Sequence, residues 1–113
     1  MAGLLDALAV HRPALTKPGT RIVYPGCAAD DVLERAFPLA DITYIDCDAP
    51  ALDVLRQRTA RDAGPRTYLA RDLAEAGELP SELLFIRGLT NSFGSLYKGV
   101  TTSGIAVCND NEH

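Results

Sequence analysis

Short apolar runs alternate with longer amphipathic segments along the chain. The apolar runs, rich in β-branched and aromatic residues, occupy residues 21–24, 42–46, 66–70, 82–87 and 104–109. Each run is too short to be a typical helix and is bounded by glycine, proline or polar residues, which is the pattern of buried strands. The sequence therefore predicts five strands.

The segments between the strands have helical spacing. "DDVLERAF" carries an apolar stripe, and Asp31 and Glu34 stand at the spacing of a capping box. "DAPALDVLRQRTARD" has Asp48 near its amino end and Pro50 in its first turn, as a capped helix would. A further helix is predicted over residues 2–10, where leucines recur on one face.

Alternating strands and helices favour right-handed crossovers and a parallel sheet covered on both faces. We therefore predict one three-layer α/β domain over residues 1–113, with an N-terminal helix and linker in 1–20 and the α/β core in 21–110. Ligands of such sheets bind at the carboxyl ends of the strands, where the strand order reverses.

Composition narrows the expected environment of the chain. The 113 residues are 47% hydrophobic and 23% charged, with a formal net charge of −4, which is typical of a soluble single domain. No apolar run approaches the roughly 20 residues of a membrane span, and the N-terminus does not resemble a secretory signal, so we expect a cytoplasmic protein. An acidic chain does not attract phosphate backbones, and we expect no nucleic-acid partner.

The three cysteines are Cys27, Cys47 and Cys108. Their spacing matches neither a zinc site nor a thioredoxin motif, so we expect free thiols and no metal site.

The chemistry at the predicted strand ends favours a cationic ligand. Asp30 and Asp31 stand where the diphosphate of NAD would rest, and no Lys-Ser or Lys-Thr pair follows the turn, so a dinucleotide or a P-loop nucleotide is disfavoured. Asp46 follows Gly26 by 20 residues, the spacing at which a carboxylate meets ribose hydroxyls in these sheets. S-adenosylmethionine lacks phosphate and carries two positive charges, so it suits such a crevice.

Four segments carry a resemblance to a known family. "RIVYPGCAADDVLERA" resembles the first motif of class I S-adenosylmethionine-dependent methyltransferases, and "ITYIDCD" resembles their acidic second motif. "YLARDLAEAGELP" is similar to the third motif and "TSGIAVCND" to the segment around the fifth strand. Within that superfamily the chain most resembles small uncharacterised bacterial members with methyltransferase-like folds.

The resemblance implies a Rossmann-like open sheet of about five parallel strands in the order 3-2-1-4-5, truncated relative to the seven-stranded family fold. It implies that a turn at Gly26 wraps the methionine part, that Asp46 holds the ribose and that Asp72 faces the adenine. The implied cofactor-binding residues are Tyr24, Pro25, Gly26, Cys27, Ala28, Asp46, Cys47, Asp72 and Leu73. No catalytic residue is implied, because methyl transfer depends on positioning.

Two positions depart from the family motif. Tyr24 stands where most members have an acid that anchors the methionine ammonium, and Asp30 replaces the last glycine of the motif. Helix capping is an alternative explanation for Asp30 and Asp31. Asp48 is better placed than Asp46 to cap the second helix, which leaves Asp46 for a ligand.

Two functional hypotheses stay open. The first is a methyltransferase-like domain that binds S-adenosylmethionine or S-adenosylhomocysteine and acts on a small-molecule or macromolecular methyl acceptor. The second is a non-catalytic Rossmann-like interaction or structural module without a cofactor. A fifth strand at the edge of the sheet would expose unpaired backbone groups, so we expect a homodimer through that edge or the adjacent helix.

Overall fold

The sheet is parallel. The computed structural model describes residues 7, 9–59, 64–71, 80–87 and 102–109. Its strands are β1 (Arg21–Pro25), β2 (Asp41–Asp46), β3 (Arg66–Ala70), β4 (Ser81–Arg87) and β5 (Thr102–Asn109), in the order β3-β2-β1-β4-β5. The predicted α/β class and the parallel order 3-2-1-4 are confirmed, and the predicted bounds of β1 to β4 differ from the observed ones by at most one residue.

Two helices connect the first three strands. Helix α1 (Val32–Ala36) is short, because Pro38 follows it and disfavours a helical conformation at the residue before it. Helix α2 (Ala49–Thr59) is longer and carries Pro50 in its first turn, as predicted. Residues 9–11 are helical, and the rest of the predicted N-terminal helix lies largely outside the described residues. The sequence also allows a short helix within residues 71–80 and a turn of helix at 95–99, and both lie almost entirely outside the described residues.

The two helix starts differ in how they are capped. Asp48 Oδ1 accepts a hydrogen bond of 3.1 Å from the Ala51 N–H, so the predicted cap of α2 is confirmed. Asp31 makes no side-chain capping hydrogen bond, so the predicted capping box at α1 is wrong. The reason is that the Glu34 carboxylate turns toward the sheet and binds Arg66 and Tyr44 instead.

The core lies on the face of the sheet that α1 and α2 cover. Alternate strand residues point to this face, as the two-residue period of a strand requires. They pack against Leu33 and Phe37 from the α1 segment and Leu52 and Leu55 from α2. The strand residues are Ile22, Tyr24, Ile42, Tyr44, Leu83 and Phe85.

The opposite face of the central strands is also buried. Val23, Ile45 and Leu84 point to it and are 2%, 1% and 6% exposed. Burial on both faces explains why these strands are apolar runs in the sequence, with no alternation of polar residues.

A polar cluster of Glu34, Tyr44 and Arg66, here the Glu34 cluster, is enclosed between α1 and the sheet. Arg66 Nη2 lies 2.7 Å from Glu34 Oε1, and their side chains are only 4% and 20% exposed. The Tyr44 hydroxyl donates to Glu34 Oε2 at 2.5 Å, and burial, followed by this hydrogen bond, raises the pKa of Tyr44. The cluster ties α1 to the first residue of β3.

In the part of the chain that the structure describes, no helix is long and apolar enough to span a bilayer.

Candidate functional site

The turn after β1 has two residues in the left-handed region. Gly26 has φ of 68° and Ala28 has φ of 48°. Glycine adopts this conformation without a steric cost, whereas for alanine it costs on the order of 1–2 kcal/mol. The Gly26 N–H donates to the Ile45 carbonyl at 2.7 Å, so the turn lies against the end of β2. The predicted turn is therefore built across two adjacent strands.

Asp46, the last residue of β2, binds the same turn through its side-chain carboxylate. Its Oδ2 accepts the Ala28 N–H at 2.7 Å, and its Oδ1 accepts the Asp48 N–H at 2.9 Å. The first bond stabilises Ala28 in its left-handed conformation. The expectation that Asp48 would leave Asp46 without a structural role is wrong, because Asp48 caps α2 while Asp46 joins the two loops.

Asp46 has backbone donors but no cationic partner among the described residues. Their ion pairs are Arg21 with Glu82, Arg56 with Asp53 and Arg66 with Glu34. A carboxylate can accept about four hydrogen bonds, so two backbone donors orient Asp46 and leave capacity for the hydroxyls of a sugar.

Tyr24 and Asp30, the two departures from the family motif, bind each other. The Tyr24 hydroxyl donates to Asp30 Oδ2 at 2.5 Å, and Asp30 Oδ1 accepts the Val32 N–H at 3.1 Å. The Tyr24 ring is 2% exposed and packs edge-on against Phe85, with ring centroids 4.9 Å apart. The capping explanation thus holds for Asp30, which satisfies an N–H at the start of α1, and fails for Asp31.

The two described cysteine side chains have opposite environments. Cys27 is 1% exposed, and burial, with a smaller effect of Asp46, raises the pKa of its thiol to about 12. Cys47 is exposed, and neither forms a disulfide. Only the backbone of Cys27 can therefore face a ligand in the turn. Within the described ranges, no three His, Cys, Asp or Glu side chains are grouped as a metal site would require.

The structure brings part of the predicted site together. The turn at Gly26, Cys27 and Ala28 contacts Asp46 through the hydrogen bonds above, and Cys47 follows at the same edge. Tyr24 and Pro25 are buried, so their side chains pack in the interior beneath the turn and do not reach its surface. Two further residues of the predicted site, Asp72 and Leu73, lie outside the described residues.

Sequence reasoning missed the Tyr24–Asp30 hydrogen bond. A signal was present, because both residues break the family motif within one loop, and two changes in one loop suggest a contact between them.

A cleft of about 500 Å³ lies along the start and one side of α1. Among the described residues it is lined by Asp30, Asp31, Val32, Glu34 and Arg35. It shares Asp30 with the turn but neither Gly26 nor Asp46, so it is a separate feature of the surface.

Comparisons with known proteins establish the fold class. No protein-family model and no curated protein matches the sequence. Among solved structures, the N-methyltransferase NodS from Bradyrhizobium japonicum WM9 is similar over 76% of this chain and 47% of its own, at 24% identity and a TM-score of 0.57. The plantazolicin methyltransferase BpumL in complex with SAH (S-adenosylhomocysteine) is similar over 96% and 46%, at 15% identity and a TM-score of 0.65.

A third neighbour is the magnesium protoporphyrin IX methyltransferase ChlM from Synechocystis PCC 6803 with bound SAH, similar over 78% of this chain at a TM-score of 0.61 and 16% identity. The chain therefore has a class I methyltransferase-like fold. It spans less than half the length of these three chains, 47%, 46% and 42% respectively.

Proposed function

We propose that this chain binds S-adenosylmethionine or S-adenosylhomocysteine in the crevice at the carboxyl ends of β1 and β2. The observation that carries the proposal is Asp46: its carboxylate is fixed by the Ala28 and Asp48 N–H groups beside the left-handed turn. It stands in a fold whose neighbours include methyltransferases crystallised with S-adenosylhomocysteine.

In this proposal each part of the ligand meets a different part of the site. Asp46 accepts hydrogen bonds from the ribose hydroxyls, and the backbone of Gly26, Cys27 and Ala28 lies along the amino-acid part. Cys47 borders the nucleoside, and Asp72 and Leu73 are proposed to contact the adenine. A phosphate-bearing nucleotide is disfavoured, because the Asp46 carboxylate, which has no cationic partner among the described residues, repels an anion.

The proposed reaction is an in-line methyl transfer. The lone pair of an acceptor atom attacks the methyl carbon, and the sulfonium leaves as a neutral thioether. The protein contributes orientation and exclusion of water, so no side chain is assigned as a general acid or base. The acceptor is a small molecule or a macromolecule that the remaining surface must position.

Calorimetric titration of the full chain tests the binding proposal. We expect heat with S-adenosylmethionine and S-adenosylhomocysteine, and none with NADH or ATP. Asp46→Ala should weaken binding at least about tenfold, because ribose hydroxyls lose a charged acceptor. Asp53→Ala, which removes the same charge from the exposed side of α2, is the matched control and should bind as the unchanged chain does. Absence of binding at millimolar ligand would contradict the proposal.

The second candidate is a Rossmann-like module that retains no cofactor. It is favoured by the fact that both oxygens of Asp46 already accept backbone hydrogen bonds, so the carboxylate has a structural role without a ligand. The same titration separates the two candidates, since a module of this kind gives no heat with any of the four compounds.

A further inference from the structure

The loop after β1 contains a four-residue β-turn with an alanine in a position that glycine usually occupies. The Asp30 N–H donates to the Cys27 carbonyl at 2.9 Å, which closes the β-turn. Ala28 follows Cys27 and has φ of 48°, and no other non-glycine residue that the structure describes has a positive φ. A positive φ at the first central residue alone is the arrangement of a type II′ turn, where glycine is preferred. Other contacts must therefore hold Ala28 in a conformation that alanine disfavours.

Two side chains from distant elements bind the outer peptide groups of this β-turn. In the first peptide group, the Ala28 N–H donates to Asp46 Oδ2 at 2.7 Å, at the end of β2. In the last peptide group, the Ala29 carbonyl accepts a hydrogen bond of 3.1 Å from Nη1 of Arg58, which lies in the last turn of α2. The β-turn is thus bound at both outer peptide groups, by an acceptor from β2 and by a donor from α2.

The relative orientation of the outer peptide groups decides the handedness of a β-turn. A flip of the central peptide group interconverts types I′ and II′, and φ of the first central residue is positive in both. To reach the negative φ that alanine prefers, one outer peptide group must rotate relative to the other. That rotation would break the bond to Asp46 or the bond to Arg58. The two bonds therefore oppose the same movement.

We propose that Arg58 is a positioning residue of this turn and, together with Asp46, keeps Ala28 in its left-handed conformation. This role needs no ligand, whereas its consequence for affinity rests on the proposed function. The backbone of the turn, along which the amino-acid part of the adenosyl ligand is proposed to lie, then has its binding conformation before the ligand arrives. Loss of Arg58 lowers the populated fraction of that conformation, and the apparent affinity falls by the same factor.

Hydrogen exchange of the Asp30 amide, followed by NMR on the full chain, tests the role without a ligand. Arg58→Met should accelerate this exchange about threefold to tenfold, because the β-turn opens more often when one of its two side-chain bonds is lost. In the Ala28→Gly background the same change at Arg58 should accelerate the exchange less than about twofold, because glycine keeps a positive φ without a steric cost.

The affinity for S-adenosylhomocysteine, measured by calorimetry, should follow the same pattern. Arg58→Met should weaken binding about threefold to tenfold in the unchanged chain and less than about twofold in the Ala28→Gly background. Arg56→Met is the matched control, because it makes the same substitution on the same helix at a residue that pairs with Asp53 and lies over the Tyr68 ring. It should change the exchange and the affinity less than about twofold.

Three results would contradict the proposal. Equal acceleration of exchange in the two backgrounds would show that Arg58 stabilises α2 and not the conformation of Ala28. Unchanged exchange in Arg58→Met would show that Asp46 holds the turn alone, and unchanged affinity despite faster exchange would overturn the consequence for binding. Absence of binding to the unchanged chain refutes the proposed function instead, and the exchange experiment then still decides the role of Arg58.

Discussion

Two carboxylates on the same face of the sheet, Glu34 and Asp46, are used in opposite ways. Glu34 is enclosed by the Arg66 guanidinium and the Tyr44 hydroxyl, so its charge is neutralised where it lies. Asp46 accepts only backbone N–H groups from the described residues, so its charge persists at the tip of the sheet. A neutralised carboxylate holds the fold together, whereas an oriented one that has no cationic partner among the described residues is suited to receive a ligand.

The largest expected loss of stability comes from breaking the Glu34 cluster. Arg66→Met would leave Glu34 buried without its cation, and removal of one partner from a buried ion pair costs about 3–5 kcal/mol. Urea unfolding followed by circular dichroism measures the change in the free energy of unfolding. Arg56→Met is the control, since Arg56 pairs with Asp53 at 3.5 Å in an exposed position, and it should cost less than about 1 kcal/mol. Equal effects of the two variants would show that Glu34 does not depend on its cation.

Tyr44→Phe should have the next largest effect. It removes the hydroxyl that donates to Glu34 while Arg66 stays in place, and a hydrogen bond to a charged group contributes about 1.5–3 kcal/mol. The free energy of unfolding of Tyr44→Phe is compared with that of the double variant Tyr44→Phe with Arg66→Met. The losses of the two single variants should add to more than the loss of the double variant, because Tyr44 and Arg66 both contact Glu34. Strict additivity would show that the two residues do not act on Glu34 together.

Asp46→Asn should alter stability much less than either change in the Glu34 cluster. The amide still accepts one of the two backbone hydrogen bonds and leaves no cation of the described residues unpaired, so we expect a loss of about 1 kcal/mol. The urea midpoint provides the measurement. A loss as large as that of Arg66→Met would mean that Asp46 is mainly structural, which would favour the module without a cofactor.

The smallest expected effect concerns the exposed pair of Arg21 and Glu82, whose contribution to stability is lost in acid. The side-chain hydrogen bond from Arg21, and then its backbone N–H, lower the pKa of Glu82 to about 2. A folded pKa below the unfolded value of about 4.3 stabilises the native state above pH 4.3, and this contribution is lost as the pH falls toward 2. Glu82→Gln should therefore reduce the decline of the urea midpoint between pH 5 and pH 3.

Salt provides the control for this pair. Its side chains are 47% and 34% exposed, so 0.5 M sodium chloride should shrink the difference between Glu82→Gln and the unchanged chain. A difference that stays constant from pH 5 to pH 3 would show that the shift is absent.

Much of the fold was predictable because it depends on local pattern. Residues 42–45 form a strand because they are mostly apolar and lie between Asp41 and Asp46, and alternation with helices implies a parallel order. Asp46 and the turn at Gly26 were placed at neighbouring tips by that topology alone. The Glu34–Arg66 pair was not predictable, because its partners lie 32 residues apart and meet only when α1 packs over the start of β3.

Gly64 illustrates the same limit. In the sequence, Gly64 before Pro65 predicts the end of a helix, because glycine is common just after the last helical residue. In the folded chain a Cβ at this position would lie 2.4 Å from the Leu39 carbonyl oxygen, so packing also excludes every other residue. A close approach between two distant segments has no local signature.

The sequence by itself determined the alternation of strands and helices, the parallel sheet and the acidic character of its carboxyl edge, because these follow from residue period and charge along the chain. Only the tertiary structure decided which acids pair with a cation, as Glu34 does, and which accept only backbone hydrogen bonds from the described residues, as Asp46 does. Hydrogen bonds between Tyr24 and Asp30, or between Ala28 and Asp46, depend on distances of a few ångströms, and such distances exist only after the strands have paired and the helices have packed.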